Sequence, residues 1–172
     1  MSLFPPLKAC IAAPLLAILF ITALPIAAQA IEKAERVVVI KNKKLLMLLK
    51  DGEVLKAYKI SLGKAPQGPK TREGDKRTPE GTYTLDYRKA RSEYYRAFHI
   101  SYPNEKDLEN ARRLGVSPGG GIELHGLPRN LEDVGGLHRS LNWTDGCIAV
   151  TNREMDELWT LVADGTPIEI RP

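Results

Sequence analysis

The amino-acid sequence predicts one mostly β domain, a mixed β-sandwich or barrel-like fold with about two short helices. Three observations predict it. Short β-branched or alternating runs bounded by turn residues recur along the chain. Only two stretches carry helix-cap signals. Setting residues 1–30 aside leaves 142 of the 172 residues (172 less 30), enough for one ordinary core and too few for two.

Residues 1–30 read as a secretory signal peptide. Lys8 is the only charge before Glu32, an apolar run from Ile11 to Ala28 follows, and Ala28-Gln29-Ala30 is an A-x-A cleavage site. Pro14 and Pro25 interrupt the run, which argues against an uncleaved anchor, and Cys10 precedes the run, which argues against lipidation. The expected protein is therefore exported, to the periplasm or cell envelope, with residues 31–172 as a single domain. The formal charge of +4 falls to +3 once Lys8 is removed. That excess suits solubility and mild attraction to an anionic wall or membrane surface, and it lacks the clustered basic face that nucleic-acid binding requires.

The elements follow in order. Val37–Ile40 is a β-branched strand. Lys44–Lys50 is leucine-rich but too short for a helix between Asn42 and Asp51-Gly52, a dipeptide that suits a tight hairpin with positive φ at both positions. Val54–Leu62 is the return strand, and 63–78, rich in Gly, Pro and Lys, reads as a long surface loop. Thr82–Tyr87 and Phe98–Tyr102 are further strands. Asn104 caps a helix over Glu105–Leu114 that stops at Gly115. Ile122–Leu124 is a short strand ending at His125. Thr151 and Glu154 have capping-box spacing, and Met155, Leu158, Trp159 and Val162 line one face of the helix that follows. Asp164-Gly165 ends it, and Pro167–Ile170 is the last strand.

Cys10 lies in the expected leader, so the mature chain keeps Cys147 alone. An unpaired thiol in an oxidising compartment is exposed to oxidation and mispairing, so its presence calls for a reason. It sits in Thr144-Asp145-Gly146-Cys147, where Gly146 allows a tight turn that aims amide N–H groups at a bound carbonyl, and Ile148-Ala149-Val150 anchors the loop in the core. A thiol nucleophile needs a base. Among His99, His125 and His138, the choice is His125: it ends an apolar strand, and the glycine after it leaves a carbonyl free to hold the ring. His138 lies in a polar loop with less to fix it, and His99 is inside a strand. Against this stand three other readings: a cysteine that is simply core, a non-catalytic binding domain, and a zinc site of His125, His138, Cys147 and Asp145, whose spacing matches no compact zinc pattern.

The order His125-Gly126 and then Thr144-Asp145-Gly146-Cys147 resembles the L,D-transpeptidase catalytic domain, or YkuD domain, which carries His-Gly, a spacer, and Ser/Thr-His-Gly-Cys. The opening hairpin, Val37 to Gly63, is similar to the family's entry strands, and Lys76-Arg77-Thr78-Pro79-Glu80-Gly81-Thr82-Tyr83 to its TPxGxY segment. The resemblance implies Cys147 as nucleophile, His125 as base, Gly126 as the carbonyl that orients it, and Gly146 with Cys147 as oxyanion donors. It implies no metal and no organic cofactor. It depart from the family at Asp145, where a second His is usual, and at Ala149, where an Arg is usual. The Asp-containing version resembles a branch associated with release of lipoprotein from peptidoglycan as well as with transpeptidation. The implied partners are peptidoglycan stem peptides and peptidoglycan-linked lipoprotein. Asp145, Thr144, Trp143, Tyr94 and Arg96 are the expected substrate contacts, with Lys70, Arg72 and Arg129 as further cations able to meet carboxylates.

Overall fold

The computed structural model describes residues 32–172, so the signal-peptide reading falls outside the described residues. The strands are β1 (Arg36–Ile40), β2 (Leu45–Lys50), β3 (Glu53–Lys59), β4 (Gly81–Ser92), β5 (Tyr95–Ile100), β6 (Glu123–His125), β7 (Ile148–Ala149) and β8 (Thr166–Arg171). Two α-helices, α1 (Glu105–Leu114) and α2 (Asn152–Leu161), a 3-10 turn at Lys41–Lys43 and a kinked 3-10 segment, Arg129–Ser140, complete the described elements. The strands form one mixed sheet in the order β3-β2-β1-β8-β4-β5-β6-β7. The fold is mostly β, as predicted.

Local chemistry explains most boundaries. Asp51 and Gly52 both take positive φ, 51° and 81°, and close the β2–β3 hairpin. Asn104 with Asp107, and Thr151 with Glu154, form reciprocal capping boxes at the starts of α1 and α2. Gly115 ends α1 in the left-handed region. Helix α2 turns Met155 and Leu158 inward onto a core that includes Val37, Leu46, Phe98, Leu124 and Ile148.

The sheet curls until its ends meet. Just past β3, Ser61 exchanges two 2.9 Å backbone hydrogen bonds with Ala149 of β7, and Lys64 N–H donates to Thr144 O at 2.9 Å. The 63–78 loop folds back beside this junction. Buried Lys41 holds it, donating to Gly68 O (2.7 Å), Thr78 O (2.8 Å) and Glu80 Oε1 (2.8 Å). Within the loop, Asp75 accepts from Lys70 Nζ and from the Thr71, Arg72 and Arg77 N–H groups.

Besides shifted bounds in β3, which ends at Lys59 and not Leu62, and in β5, which is Tyr95–Ile100 and not Phe98–Tyr102, two elements differ from expectation. The strand expected at Thr82–Tyr87 runs on to Ser92, although all but Ala90 of Arg88 to Ser92 are polar. Arg88 lies over the Phe98 and Trp159 rings, at 5.1 Å from each centroid, and donates to Trp159 O and Val162 O, so tertiary partners replace hydrophobic patterning. Ile148–Ala149, expected only as an anchor, is a strand.

Candidate active site

The site is built on three adjacent strands whose alternation sorts side chains onto two faces. Phe98 pairs with Leu124, and Leu124 with Ile148; all three are fully buried in the core. Their neighbours along each strand therefore point the other way. One cross-strand row on that second face is Lys89–Ala97–His125–Ala149, and the next contains His99 and Glu123. Extending the parallel β6–β7 register by one residue sets Cys147 beside Glu123.

His125 is 1% exposed. Its Nδ1 lies 2.6 Å from Gly126 O. A carbonyl only accepts, so Nδ1 carries the ring hydrogen and Nε2 keeps a lone pair. Tyr94, in the β4–β5 turn, packs its ring 4.4 Å from that of His125, and Trp143 meets it edge-on at 5.8 Å. Burial lowers the imidazole pKa, against the smaller opposing effects of Gly126 O and Glu123. Gly126 has no room for a Cβ, which would stand 2.6 Å from Asn152 Oδ1, itself the acceptor for Leu127 N–H at 2.7 Å.

The cysteine loop is folded by its own residues. Thr144 Oγ1 donates to Cys147 O at 2.7 Å and accepts from Gly146 N–H at 3.2 Å. Gly146 has φ +133°, and a Cβ there would meet Arg77 O at 2.8 Å, so only glycine lets the 63–78 loop lie against the turn. Cys147 is half-buried, with Sγ 3.7 Å from Gly121 O. Burial pushes its thiol up to about 11; the Glu123 N–H acts against this, the Glu123 and Asp145 carboxylates act with it, and Lys70 acts against it.

The predicted residues thus separate into groups. Cys147, His125, Gly126, Gly146, Trp143 and Tyr94 gather at the sheet junction. Thr144 is there too, with its hydroxyl committed to the loop. Asp145 is exposed and pairs with Lys64 at 2.9 Å, which holds its carboxyl below the usual range. Arg96 alternates with Ala97 and so faces away from His125; it binds Asp156 at 2.9 Å and lies over the Tyr95 and Trp159 rings. Lys70 is buried against Asp75 (2.8 Å).

His138 is the larger surprise. Expected to be loosely held, it is 7% exposed, with Nδ1 3.2 Å from Ser61 Oγ and the Trp143 ring edge-on at 6.5 Å. Burial and then Arg139 lower its pKa to about 4, so it is neutral at pH 7. No group of three or more His, Cys, Asp or Glu side chains is placed to hold a metal among the described residues. Glu123 and Lys89 were missed altogether. The available signal was Glu123's position two residues before His125 on a strand, which puts both on one face.

A mixed sheet curled until its ends meet, with a histidine ending β6 and a cysteine immediately before the neighbouring β7, defines the class: an L,D-transpeptidase-type β domain. The YkuD family, described as the L,D-transpeptidase catalytic domain, matches residues 34–170, and the chain belongs to it. Escherichia coli (strain K12) YafK is 30% identical over 127 residues, 71% of this chain and 44% of that protein. The crystal structure of Pgp2, a helical cell shape determining protein from Campylobacter jejuni, superposes with a TM-score of 0.62 and 30% identity over 81% of this chain and 48% of that one. The Enterococcus faecium L,D-transpeptidase C442S mutant shares the fold at 17% identity, with a TM-score of 0.52 over 81% of this chain and 50% of that one. The chain spans about half the length of these relatives.

Proposed function

We propose that this chain is a cysteine acyl-transferase or hydrolase acting on peptidoglycan stem peptides through a Cys147 thioester, forming or cleaving bonds at meso-diaminopimelate. The observation that carries the reading is the 2.6 Å contact from His125 Nδ1 to Gly126 O. It leaves a neutral Nε2 acceptor on the face where Cys147 stands, the form a general base requires. His125 takes the thiol proton as sulfur attacks the amide carbonyl at the L-centre of meso-diaminopimelate. The C–N bond then breaks, His125 returns the proton to the leaving amine, and the acyl group remains on sulfur. An incoming amine gives a cross-link; water gives a shortened stem. With Gly146 N–H directed at Thr144 Oγ1, the developing oxyanion is assigned to the Cys147 N–H. Tyr94 and Trp143 wall the site and exclude water from the imidazole. Thr144 shapes the cysteine loop, and Asp145 with Lys64 forms its exposed rim.

Family membership supports action on peptidoglycan, and the YafK and Pgp2 likenesses extend the proposal to wall peptides and cell shape. An export signal over 1–30 would deliver the protein to the periplasm or envelope. Asp145 in place of a second histidine favours one alternative, release of lipoprotein from peptidoglycan by hydrolysis. The test is to incubate the protein, and its Cys147→Ala and His125→Asn variants, with purified muropeptides and with lipoprotein-linked peptidoglycan, and to identify products by mass spectrometry. New cross-links define a transpeptidase; shortened stems or freed lipoprotein define a hydrolase. Absence of product from folded wild-type protein, with retained binding, would replace the enzyme by a wall-binding domain.

A further inference from the structure

The face that carries His125 also carries an ion pair that the mechanism above leaves unused. Lys89 Nζ lies 2.5 Å from Glu123 Oε1. Lys89 and His125 share a cross-strand row, separated by Ala97, and Glu123 lies in the next row, beside Cys147. The small Ala97 side chain lets Lys89 reach across β5 to the β6 carboxylate. The two partners are unequally covered: the Glu123 side chain is 12% exposed and that of Lys89 42%. Glu123 is thus sunk into the sheet surface, while the ammonium it holds opens to solvent. An ammonium has three N–H donors, and Glu123 occupies one. Tyr87, with its ring centroid 5.9 Å from Nζ, flanks the ammonium. A bare carboxylate beside a nucleophilic sulfur would oppose thiolate formation and repel anionic substrates. Its retention there is understandable if its task is to fix a cation.

We infer that Lys89, held in place by Glu123, is a substrate-binding residue that takes a free carboxylate of the peptide stem next to the carbonyl attacked by Cys147. Two carboxylates lie close to that carbonyl: the one on the D-centre of meso-diaminopimelate and the terminal one of the departing D-amino acid. Only the identity of the carboxylate rests on the peptidoglycan reading; the anion site does not.

The first arm of the test is independent of that reading. Cys147 is alkylated with iodoacetate and with iodoacetamide, reagents that differ in charge, and the ratio of the two rates is compared in wild type, Lys89→Met, Lys89→Arg and the double variant Lys89→Met/Glu123→Gln, with thermal unfolding as a check on folding. The expected result is a fall of about tenfold in the iodoacetate-to-iodoacetamide ratio for Lys89→Met, retention in Lys89→Arg, and a similar fall in the uncharged double variant. A double variant that keeps the wild-type ratio would overturn the inference, because Lys89 would then serve only to neutralise Glu123. The second arm measures turnover of stems amidated at the D-centre or at the terminal carboxyl. Lys89→Met is expected to raise KM for the unmodified stem and to leave KM unchanged for whichever amide has already lost the contact. Equal effects on all three stems would overturn the carboxylate assignment. If wild-type protein turns over no stem while the alkylation ratio still depends on Lys89, the functional reading fails and the anion site stands.

Discussion

Lys41 is 4% exposed and holds three acceptors from the 63–80 segment, one of them the Glu80 carboxylate. Replacing it with Met keeps the length and apolar stem but removes the charge. Glu80, whose side chain is 17% exposed, then loses its counter-ion, and two main-chain carbonyls lose a donor. Breaking a buried pair from one side costs about 3–5 kcal/mol. The residual exposure of Glu80 lets water offset part of this, so the lower end, about 3 kcal/mol, is expected. For a chain of this size that corresponds to a fall in Tm of roughly 6–12 °C. The double variant Lys41→Met/Glu80→Gln should recover about 1–2 kcal/mol, since no charge is left stranded. Thermal and urea unfolding followed by circular dichroism measure both. A single-variant loss under about 1 kcal/mol would refute the reasoning, because Lys41 would then not be what ties the loop to β1.

Gly146→Ala places a Cβ 2.8 Å from Arg77 O at a φ of +133°, so it should destabilise by about 2 kcal/mol or more and abolish acylation; urea unfolding and intact-protein mass after incubation with stem peptide check this. Burial, the largest cause, pushes the Cys147 thiol up to about 11, so iodoacetamide labelling should rise about tenfold per pH unit between pH 7 and 10, and a plateau below pH 8 would contradict it. At Asp75 burial pushes the carboxyl up, but Lys70 and the Thr71, Arg72 and Arg77 N–H groups outweigh it and leave the folded pKa below the unfolded one. Its contribution to stability is therefore complete above the unfolded value, about 4, and is lost as pH falls through the folded value; Asp75→Asn should flatten the acid limb of a stability–pH curve.

What the sequence disclosed was local. The Asp51-Gly52 turn, the Asn104 and Thr151 caps and the Gly115 stop are satisfied by neighbours a few residues away, and each stands where the pattern placed it. The extension of β4 to Ser92 was hidden because Arg88 finds its partners at Trp159, Val162 and Asp164, over seventy residues on. Cys147 and His125 stood out through motif order, but their lying on one face of the sheet depends on the β6–β7 register, and that pairing has no signature in either strand alone. The same register brings Glu123 beside the sulfur, while the β4–β5 and β5–β6 registers put Lys89 on the histidine's row. His138 read as a loop residue because its cover, Ser61 and Trp143, arrives from two other segments.

The junction between Ser61–Lys64 and Thr144–Ala149 has one further consequence. It is a seam sewn with few stitches, and the strand that follows Cys147 is only two residues long. Parting it would expose Leu62 and loosen Ile148 but leave β1, β2 and β8 paired, so local opening should precede global unfolding. Amide protons at Ser61, Lys64 and Ala149 should exchange ahead of those in β1 and β8, and under the proposed function an open seam would halt turnover while the far-ultraviolet spectrum stayed native.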